Sequence, residues 1–358
     1  MVMMDYIAEQ AELFRKVLPR GKEIAAAFCD MAVKNNPGQI CLIASGTSYN
    51  VACAAAPFME KILAKPVSVI VPSQVEKLQG LNPLAVVISQ GGNSTNILEV
   101  FEKLHGVPTL VMTGNPYGYA NSKGERYMEV PCGEETVGPK TKGYTITLLT
   151  LYLMALEEGK RSGEISGQAY EEYVEGLTQA SEYLSENIVR TRQWVQENME
   201  MMGKMELIYV AGKRQGAKIA AEGALKVMET LLIPGVAYEF EEFLHGPASS
   251  LSENVSGFYL LPTPDDSDYE RMQRLVKYHR DICKSVYTVG LEESKDGRDC
   301  LLKMTGKWYT QPFEQILPMQ VISAAVTENL GLTGRGSRKF MGLDAVMQIK
   351  AKNENGIQ

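Results

Sequence analysis

The chain has 358 residues, more than one hydrophobic core usually organises, so two domains of roughly 150 residues each are expected. Hydrophobic residues make up 45% of the chain and charged residues 22%, which is typical of a globular protein. The net charge of −7 argues against the basic surfaces that grip nucleic acid or an anionic membrane. An anionic ligand would therefore need a local site that works against the overall field.

The cysteines, the histidines and the N-terminus give no sign of a cofactor or an export signal. Six cysteines form no CxxC pair and no metal-ligand spacing with the three histidines, so neither a metal nor another cofactor is expected and the thiols are predicted to be buried. The start, MVMMDYIAEQAELFRK, lacks the apolar core of a signal peptide and predicts an amphipathic helix. The longest apolar run, YTITLLTLYLMAL, has about a dozen residues, whereas a membrane span needs ~20. We expect a cytoplasmic protein without membrane or nucleic-acid partners.

In chain order, short Val/Ile/Leu runs alternate with helical patterns. After an N-terminal helical stretch, strands are predicted at QICLIAS, VSVIV, LAVVISQ, TLVMTG and YMEVPC, followed by a long helix from Tyr144 toward Gly159. Residues 160–204 are polar and helical. Strands then resume at ELIYVAG, VSGFYLLP and SVYTVG, and a last helix, LPMQVISAAVTENLGL, precedes a basic, glycine-rich tail. Near-continuous apolar strands separated by helices indicate parallel sheets covered on both faces.

The two halves resemble copies of one unit. LIASGTSYNVACAA and IYVAGKRQGAKIAA both run from a strand through Gly and a polar loop into a helix. The predicted fold is α/β, with two tandem doubly wound parallel-sheet domains of three α/β/α layers and helical connections. The predicted segments are an N-terminal helical segment 1–34, a first domain 35–163, a helical connector 164–204, a second domain 205–332 and a tail 333–358.

Loops rich in glycine and hydroxyl groups follow the strands of the first half. They are Gly46-Thr47-Ser48, the segment Ser89-Gln90-Gly91-Gly92-Asn93-Ser94-Thr95, and Thr141 with Thr145 near Lys140 and Lys142. In open α/β sheets ligands bind beyond the carboxyl ends of the strands. A loop of small residues that leads into a helix N-terminus suits an anion. The GK[ST] and GxGxxG patterns are absent, so a nucleotide is not implied. The alternative is that Ser94 or Thr95 only caps its helix.

The second half supplies candidate acids and bases. Glu222, Lys226 and Glu229 are spaced i, i+4, i+7, so one helical face presents all three; the alternative is an ordinary solvated ion pair. His245 precedes Gly-Pro, whereas His105 and His279 lie in charged helical patterns and are predicted to be solvated. A lone histidine is more often structural, and only the company of Glu229 favours a functional role for His245.

These segments resemble the sugar isomerase (SIS) domain family, most closely the isomerase half of glucosamine-6-phosphate synthases. The segments that carry the resemblance are GTSYN (46–50), SQGGNST (89–95), TKGYT (141–145), EGALKVMET (222–230) and EFLHGP (242–247). They occur in the family's order and cover nearly the whole chain, and the spacing from Glu229 to His245 is also similar to the family's.

The resemblance implies two SIS subdomains, a homodimer with its active site near the subunit interface, and a sugar phosphate as ligand. It implies that Glu229 moves a proton between the first two sugar carbons and that His245, from the partner subunit, opens the ring. Lys226 and Glu222 are implied as supporting residues, with Lys226 predicted as a catalytic donor to the developing negative charge. The tail 333–358 is predicted to lie over the active site. It implies that Thr47, Ser48, Ser89, Gln90 and Ser94 hold the sugar phosphate. The other predicted substrate-binding residues are Gly91, Thr95, Lys140 and Glu222.

The chain departs from the family's pattern at three places. Gly91 replaces the middle serine of the family's SQSG loop, and aligning Arg338 with the tail arginine puts Gly342 where a lysine is expected. The family's synthases also begin with a glutaminase domain, which is not expected in this chain. We therefore expect a ketosamine-6-phosphate deglycase or an aminosugar-6-phosphate deaminase/isomerase. The alternatives are a plain aldose–ketose isomerase and a non-catalytic sugar-phosphate sensor.

Overall fold

In the computed structural model the described residues are 2–76, 78, 81–291 and 293–350. The chain divides into two compact units. Of these described residues, the first unit comprises those within 12–136, 142–175 and 339–350, and the second unit comprises those within 2–11, 137–141 and 176–338. No helix in the described part of the chain is both long enough and apolar enough to cross a membrane.

Each unit contains a five-stranded sheet in which every pairing is parallel. The strands of the first sheet are β1 (Gln39–Ala44), β2 (Val67–Ile70), β3 (Pro83–Ile88), β4 (Thr109–Thr113) and β5 (Arg126–Glu129), in the order β2-β1-β3-β4-β5. The strands of the second sheet are β6 (Leu207–Gly212), β7 (Gly235–Glu239), β8 (Val255–Leu260), β9 (Val286–Leu291) and β10 (Asp299–Leu301), in the order β7-β6-β8-β9-β10. The two sheets thus share one topology.

Helices connect and cover the strands. The helices up to the end of the connector are α1 (Met3–Val17), α2 (Gly21–Ile24), α3 (Ala26–Asn35), α4 (Thr47–Leu63), α5 (Thr95–Lys103), α6 (Lys142–Ser162) and α7 (Gly167–Met202). The later helices are α8 (Gln215–Thr230), α9 (Phe240–Leu244), α10 (Tyr269–Ile282), α11 (Gln311–Glu314), α12 (Ile316–Asn329) and α13 (Arg335–Met347). The predicted class, tandem α/β units with parallel sheets, is confirmed; the predicted domain boundaries remain a prediction.

The apolar runs explain why these segments become buried strands and helices. In β3 all residues after Pro83 are buried, as a strand covered on both faces requires. Helix α6, the longest apolar run, is buried along nearly its whole length and packs on α4, where the rings of Phe58 and Tyr152 stack 3.9 Å apart. Strand β3 and helix α6 therefore both contribute to the core of the first unit.

The strands β7 and β10 are absent from the sequence-based prediction. Both lie at edges of the second sheet. β10 has only three residues, and β7, with the sequence GVAYE, is only partly buried. Edge strands with little apolar content carry too weak a pattern to be recognised from sequence alone.

The prediction that His279 is solvated is wrong. Its side chain is fully buried in α10, where Nε2 lies 2.8 Å from the carbonyl oxygen of Val255 and Nδ1 lies 2.9 Å from the hydroxyl of Tyr259. A carbonyl only accepts, so Nε2 carries the proton and Nδ1 accepts from Tyr259. Burial lowers the pKa of His279 although the Val255 carbonyl favours the charged form. The neighbouring Lys277 and Arg280 suggested a charged face, but His279 points the other way.

The neutral His279 makes stability depend on pH. Its pKa in the folded protein lies below the ordinary 6.5, so the unfolded chain binds more protons below that pH. The contribution is complete above pH ~6.5 and is lost as the pH falls toward the folded pKa. In urea unfolding between pH 7 and 5, the free energy of unfolding should fall more steeply for the wild type than for His279→Gln, by at most ~1.4 kcal/mol per pH unit.

The matched control is His105→Gln, because His105 is exposed. This variant should keep the wild-type slope. Equal slopes for the wild type and His279→Gln would contradict the neutral, buried assignment.

Candidate active site

The backbone carbonyl oxygens of the loop that follows β3 are engaged within the protein. The carbonyl oxygen of Gln90 accepts from the backbone N–H of Gly114 (3.0 Å), that of Gly91 from Asn115 Nδ2 (3.2 Å) and that of Gly92 from the N–H of Ala120 (3.0 Å). Three successive carbonyls are thus engaged by the segment after β4. Carbonyl oxygens repel an anion, so their engagement within the protein removes one obstacle to a negatively charged ligand. The loop also leads into the N-terminus of α5, where the helix dipole favours such a ligand.

The side chain of Gln90 anchors this loop from beneath. Its Nε2 donates to Cys132 Sγ (2.8 Å), and its Oε1 accepts from Thr147 Oγ1 at 3.4 Å. A Cβ on Gly114 would lie 2.2 Å from Nε2, and one on Gly143 3.2 Å from Cδ. The Gln90 amide therefore occupies a space that exists only because residues 114 and 143 are glycines, and its role is to hold the loop in position.

The loop after β1 approaches the same end of the first sheet. Gly46 adopts φ 58° and ψ −134° at the start of α4, a conformation that favours glycine. Thr47 and Ser48 follow it in the first turn of α4 and are half-buried. Asn96, in the first turn of α5, donates from Nδ2 to Ser45 Oγ at 2.8 Å. The structure thus brings together the predicted loops after β1 and β3. The strand order reverses between these two neighbouring strands, and ligands of open α/β sheets bind at such a point.

Ser94 and Thr95 differ in how their donors are used. Ser94 occupies the N-cap position of α5, but its hydroxyl makes no capping hydrogen bond. Thr95 donates from Oγ1 to the carbonyl oxygen of Gln348 (2.7 Å) and from its backbone N–H to that of Ile349 (3.1 Å). The C-terminal segment therefore occupies both donors of Thr95, and a ligand can use them only after that segment moves.

Lys140 is less central than its sequence position suggested. Its Nζ donates to the carbonyl oxygen of Val137 at 2.8 Å, and the following Thr141 is fully buried. A hydrogen bond three residues back along the chain closes a local turn. A ligand contact for Lys140 stays a prediction.

The three charged residues of α8 form a buried ionic group. Lys226 and Glu222 have no exposed side-chain surface, whereas Glu229 is 37% exposed. Lys226 Nζ lies 3.4 Å from Glu222 Oε1 and 2.5 Å from Glu229 Oε2. Burial alone would lower the pKa of Lys226, but the two carboxylates raise it above its ordinary value. The alternative of a solvated surface pair is therefore wrong.

His245 lies at the C-terminal end of α9, after β7. Its ring is exposed, and its backbone N–H donates to the carbonyl oxygen of Glu242 at 3.2 Å. Among the described residues no hydrogen bond or ion pair joins His245 to Glu229. A catalytic role for His245, from its own or a partner subunit, stays a prediction. No group of three or more His, Cys, Asp or Glu side chains in the described ranges could hold a metal ion.

The C-terminal tail contains helix α13, and its predicted place over the active site stays a prediction. A Cβ on Gly336 would lie 2.1 Å from the carbonyl oxygen of Glu229, so the first turn of α13 crosses the end of α8 in direct contact. Gly342, which stands where the family's lysine is expected, is exposed with open space around it. The glycine at 336 was the one sequence signal for this close approach.

Known proteins resemble the chain in sequence and in fold. The glutamine–fructose-6-phosphate aminotransferase of Streptococcus pneumoniae R6 is 23% identical over 339 residues, which cover 92% of this chain. A Clostridium difficile 630 protein provisionally described as a phosphosugar isomerase superposes with a TM-score of 0.88 at 26% identity, covering 96% of this chain and 98% of its own. The resemblance to the sugar isomerase family is confirmed.

A third protein, from Salmonella typhimurium LT2 and provisionally described as sugar-binding, superposes with a TM-score of 0.83 at 27% identity, covering 90% of this chain and 99% of its own. The matched residues make up 56% of the pneumococcal aminotransferase, so the chain spans little more than half the length of that relative. No protein-family model matches the chain.

Two neighbouring glycines in the loop after β3 should respond oppositely to substitution. A Cβ on Gly91 meets nothing within 4 Å, whereas Gly92 has φ 70° and its Cβ would lie 2.8 Å from the Cα of Gly118. Gly91→Ser should leave the urea midpoint nearly unchanged, and Gly92→Ser should cost about 1–3 kcal/mol through backbone strain. Equal losses of stability in the two variants would show that this loop geometry is wrong.

Proposed function

We propose that this chain is a phosphosugar-processing enzyme, a ketosamine-6-phosphate deglycase or an aminosugar-6-phosphate deaminase/isomerase. The observation that carries the proposal is the ionic group on α8, in which a fully buried lysine holds a carboxylate, Glu229, that is partly exposed. Isolated charges inside a protein are costly, and such groups are often retained for chemistry. The sugar isomerase fold supports a sugar phosphate as the ligand.

The loop after β3 is proposed to bind the phosphate. Its carbonyl oxygens are engaged within the protein, and the hydroxyls of Ser89 and Ser94 can donate to a dianion. The N-terminus of α5 adds a favourable dipole, and the two donors of Thr95 become available once the C-terminal segment moves. The hydroxyls of Thr47 and Ser48 lie at the neighbouring loop. Gln90 would act by holding the loop in place, since both ends of its amide are already engaged.

The proposed chemistry moves one proton and adds one water. His245 opens the sugar ring, and Glu229 takes a proton from C1 of a ketosamine, or from C2 of a 2-amino aldose, to give an enolamine. Returning the proton to the adjacent carbon gives an imine, and water adds to the imine carbon and releases the amine or ammonia. The products are a hexose 6-phosphate and the free amine.

Lys226 is proposed to act through Glu229. Its side chain is fully buried and both carboxylates surround it, so it fixes Glu229 in one orientation and stays protonated. Glu222, which is fully buried, supplies a second carboxylate beside the single positive charge of Lys226. These are positioning roles, and the group that touches the sugar is Glu229.

Substitution of Glu229 separates binding from chemistry. Glu229→Gln keeps the shape and can still accept from Lys226, but it cannot take up a proton. Turnover should fall by about 10²–10⁴-fold, while binding of the phosphosugar, measured by calorimetry, should persist. Glu253→Gln removes an exposed carboxylate elsewhere and should keep wild-type turnover. Near-normal turnover by Glu229→Gln would rule out the proposed proton transfer.

A panel assay identifies the reaction. Purified protein is incubated with glucosamine 6-phosphate, fructose 6-phosphate with ammonia, fructoselysine 6-phosphate and glucoselysine 6-phosphate, and both the hexose 6-phosphate and the amine are measured. Release of amine with hexose 6-phosphate names the substrate and supports the proposal. Interconversion of the sugars without loss of amine would favour a plain isomerase.

A non-catalytic sensor is the second candidate, because the Salmonella neighbour is provisionally described as a sugar-binding protein. In that case the four compounds would raise the melting temperature without being converted. Turnover of any one of them would exclude this alternative.

A further inference from the structure

Because the two sheets share one topology, the loop after β8 in the second unit is equivalent to the loop after β3 in the first, which we propose to bind the phosphate. β6 and β8 are neighbours in the second sheet as β1 and β3 are in the first, and each is followed by a loop and a helix. The backbone at the two helix starts also matches: Arg214, before α8, has φ 50° and ψ −111°, close to φ 58° and ψ −134° at Gly46. The second sheet therefore builds the same kind of ligand position.

The chain's own charges fill this second position. Lys213, after β6, extends its ammonium to Asp266 Oδ1 (2.6 Å) and to Asp268 Oδ2 (2.5 Å), both in the loop after β8. The three side chains are only 10%, 14% and 17% exposed. Asp268 is the N-cap residue of α10, and its backbone N–H donates to Asp266 Oδ1 at 2.9 Å. Two carboxylates thus stand beside a helix N-terminus, where an external anion would otherwise bind.

Further cations add to this internal group. Arg271 donates from NH1 to Asp268 Oδ1 at 2.8 Å, and the guanidinium of Arg214 lies 3.8 Å from Asp266 Oδ2. Hydrogen bonds from Lys213 and Arg271 lower the pKa of Asp268. Burial alone would raise the pKa of Asp266, but Lys213, the backbone N–H of Asp268 and Arg214 together lower it. Both carboxylates therefore stay charged at neutral pH and repel any anion that approaches.

We propose that the Lys213–Asp266–Asp268 ion pairs close the position after β6 and β8 to phosphorylated ligands, so that the chain holds a phosphate group only at the loop after β3. The sugar phosphate as ligand rests on the proposed function; the closure of the second position does not. The contrast between the loops carries the inference: hydroxyls and glycines follow β3, whereas two aspartates that face a buried lysine follow β8.

The test removes the internal carboxylates and looks for a new anion site. The background is Ser89→Ala with Ser94→Ala, which removes the hydroxyls of the first loop. Adding Asp266→Asn and Asp268→Asn leaves Lys213 buried beside the start of α10 without its charged partners. In this variant inorganic phosphate should raise the melting temperature and bind once per chain by calorimetry, whereas the background variant alone should show neither effect. Adding Lys213→Met should abolish the gain.

Each outcome bears on a separate claim. A folded Asp266→Asn, Asp268→Asn variant that shows no phosphate-dependent stabilisation would overturn the closure, as would a wild-type protein that binds two phosphosugars per chain. Circular dichroism establishes that the variant is folded, and Asp266→Asn alone provides a milder change if the double substitution unfolds it. If the wild type binds no phosphosugar but the aspartate variant gains phosphate binding, the proposed function fails and the closure stands.

Discussion

The buried ammonium of Lys226 is the interaction on which the account of this protein depends. A lone charge in the interior costs several kcal/mol after relaxation, and here Glu222 and Glu229 offset that cost from the same helix. The three residues must lie on one face of α8, which the spacing of four and three residues ensures. The structural consequence is that Glu229, which is partly exposed, is held in place by a buried partner, and the proposed proton transfer depends on this arrangement.

Two units with one topology use their equivalent loops for different purposes. In the first unit the loop carbonyls after β3 are engaged by the segment after β4, and Gln90 fastens the loop to Cys132. In the second unit Lys213, which follows β6, forms ion pairs with Asp266 and Asp268 in the corresponding loop after β8. An open arrangement of donors invites a ligand, and a set of internal ion pairs excludes one. We therefore propose that one fold serves as a ligand-binding position in the first unit and as an internal ion-paired contact in the second.

Much of the fold, and part of the candidate site, could be predicted from the sequence. Nearly unbroken runs of apolar residues predict strands such as β3, and the spacing of its charged residues predicts that α8 presents them on one face. The prediction that His279 is solvated was wrong because its neighbours in the sequence are charged. Its inward-facing position follows from the packing of α10 on β8, which the local sequence does not encode. The pairing of Lys213 with Asp266 joins residues 53 apart, and no local pattern encodes it. The contact of Gly336 with α8 depends likewise on how the tail folds back.

The most direct measurement of the central claim is turnover in D₂O, with the product sugar examined by NMR. Glu229 is 37% exposed, so a proton that it carries exchanges with the solvent before it is returned to carbon. The account predicts a hexose 6-phosphate with deuterium bound to carbon, at C2 from a ketosamine or at C1 from a 2-amino aldose. Product that forms at the normal rate with no deuterium at either carbon would contradict proton transfer by this carboxylate.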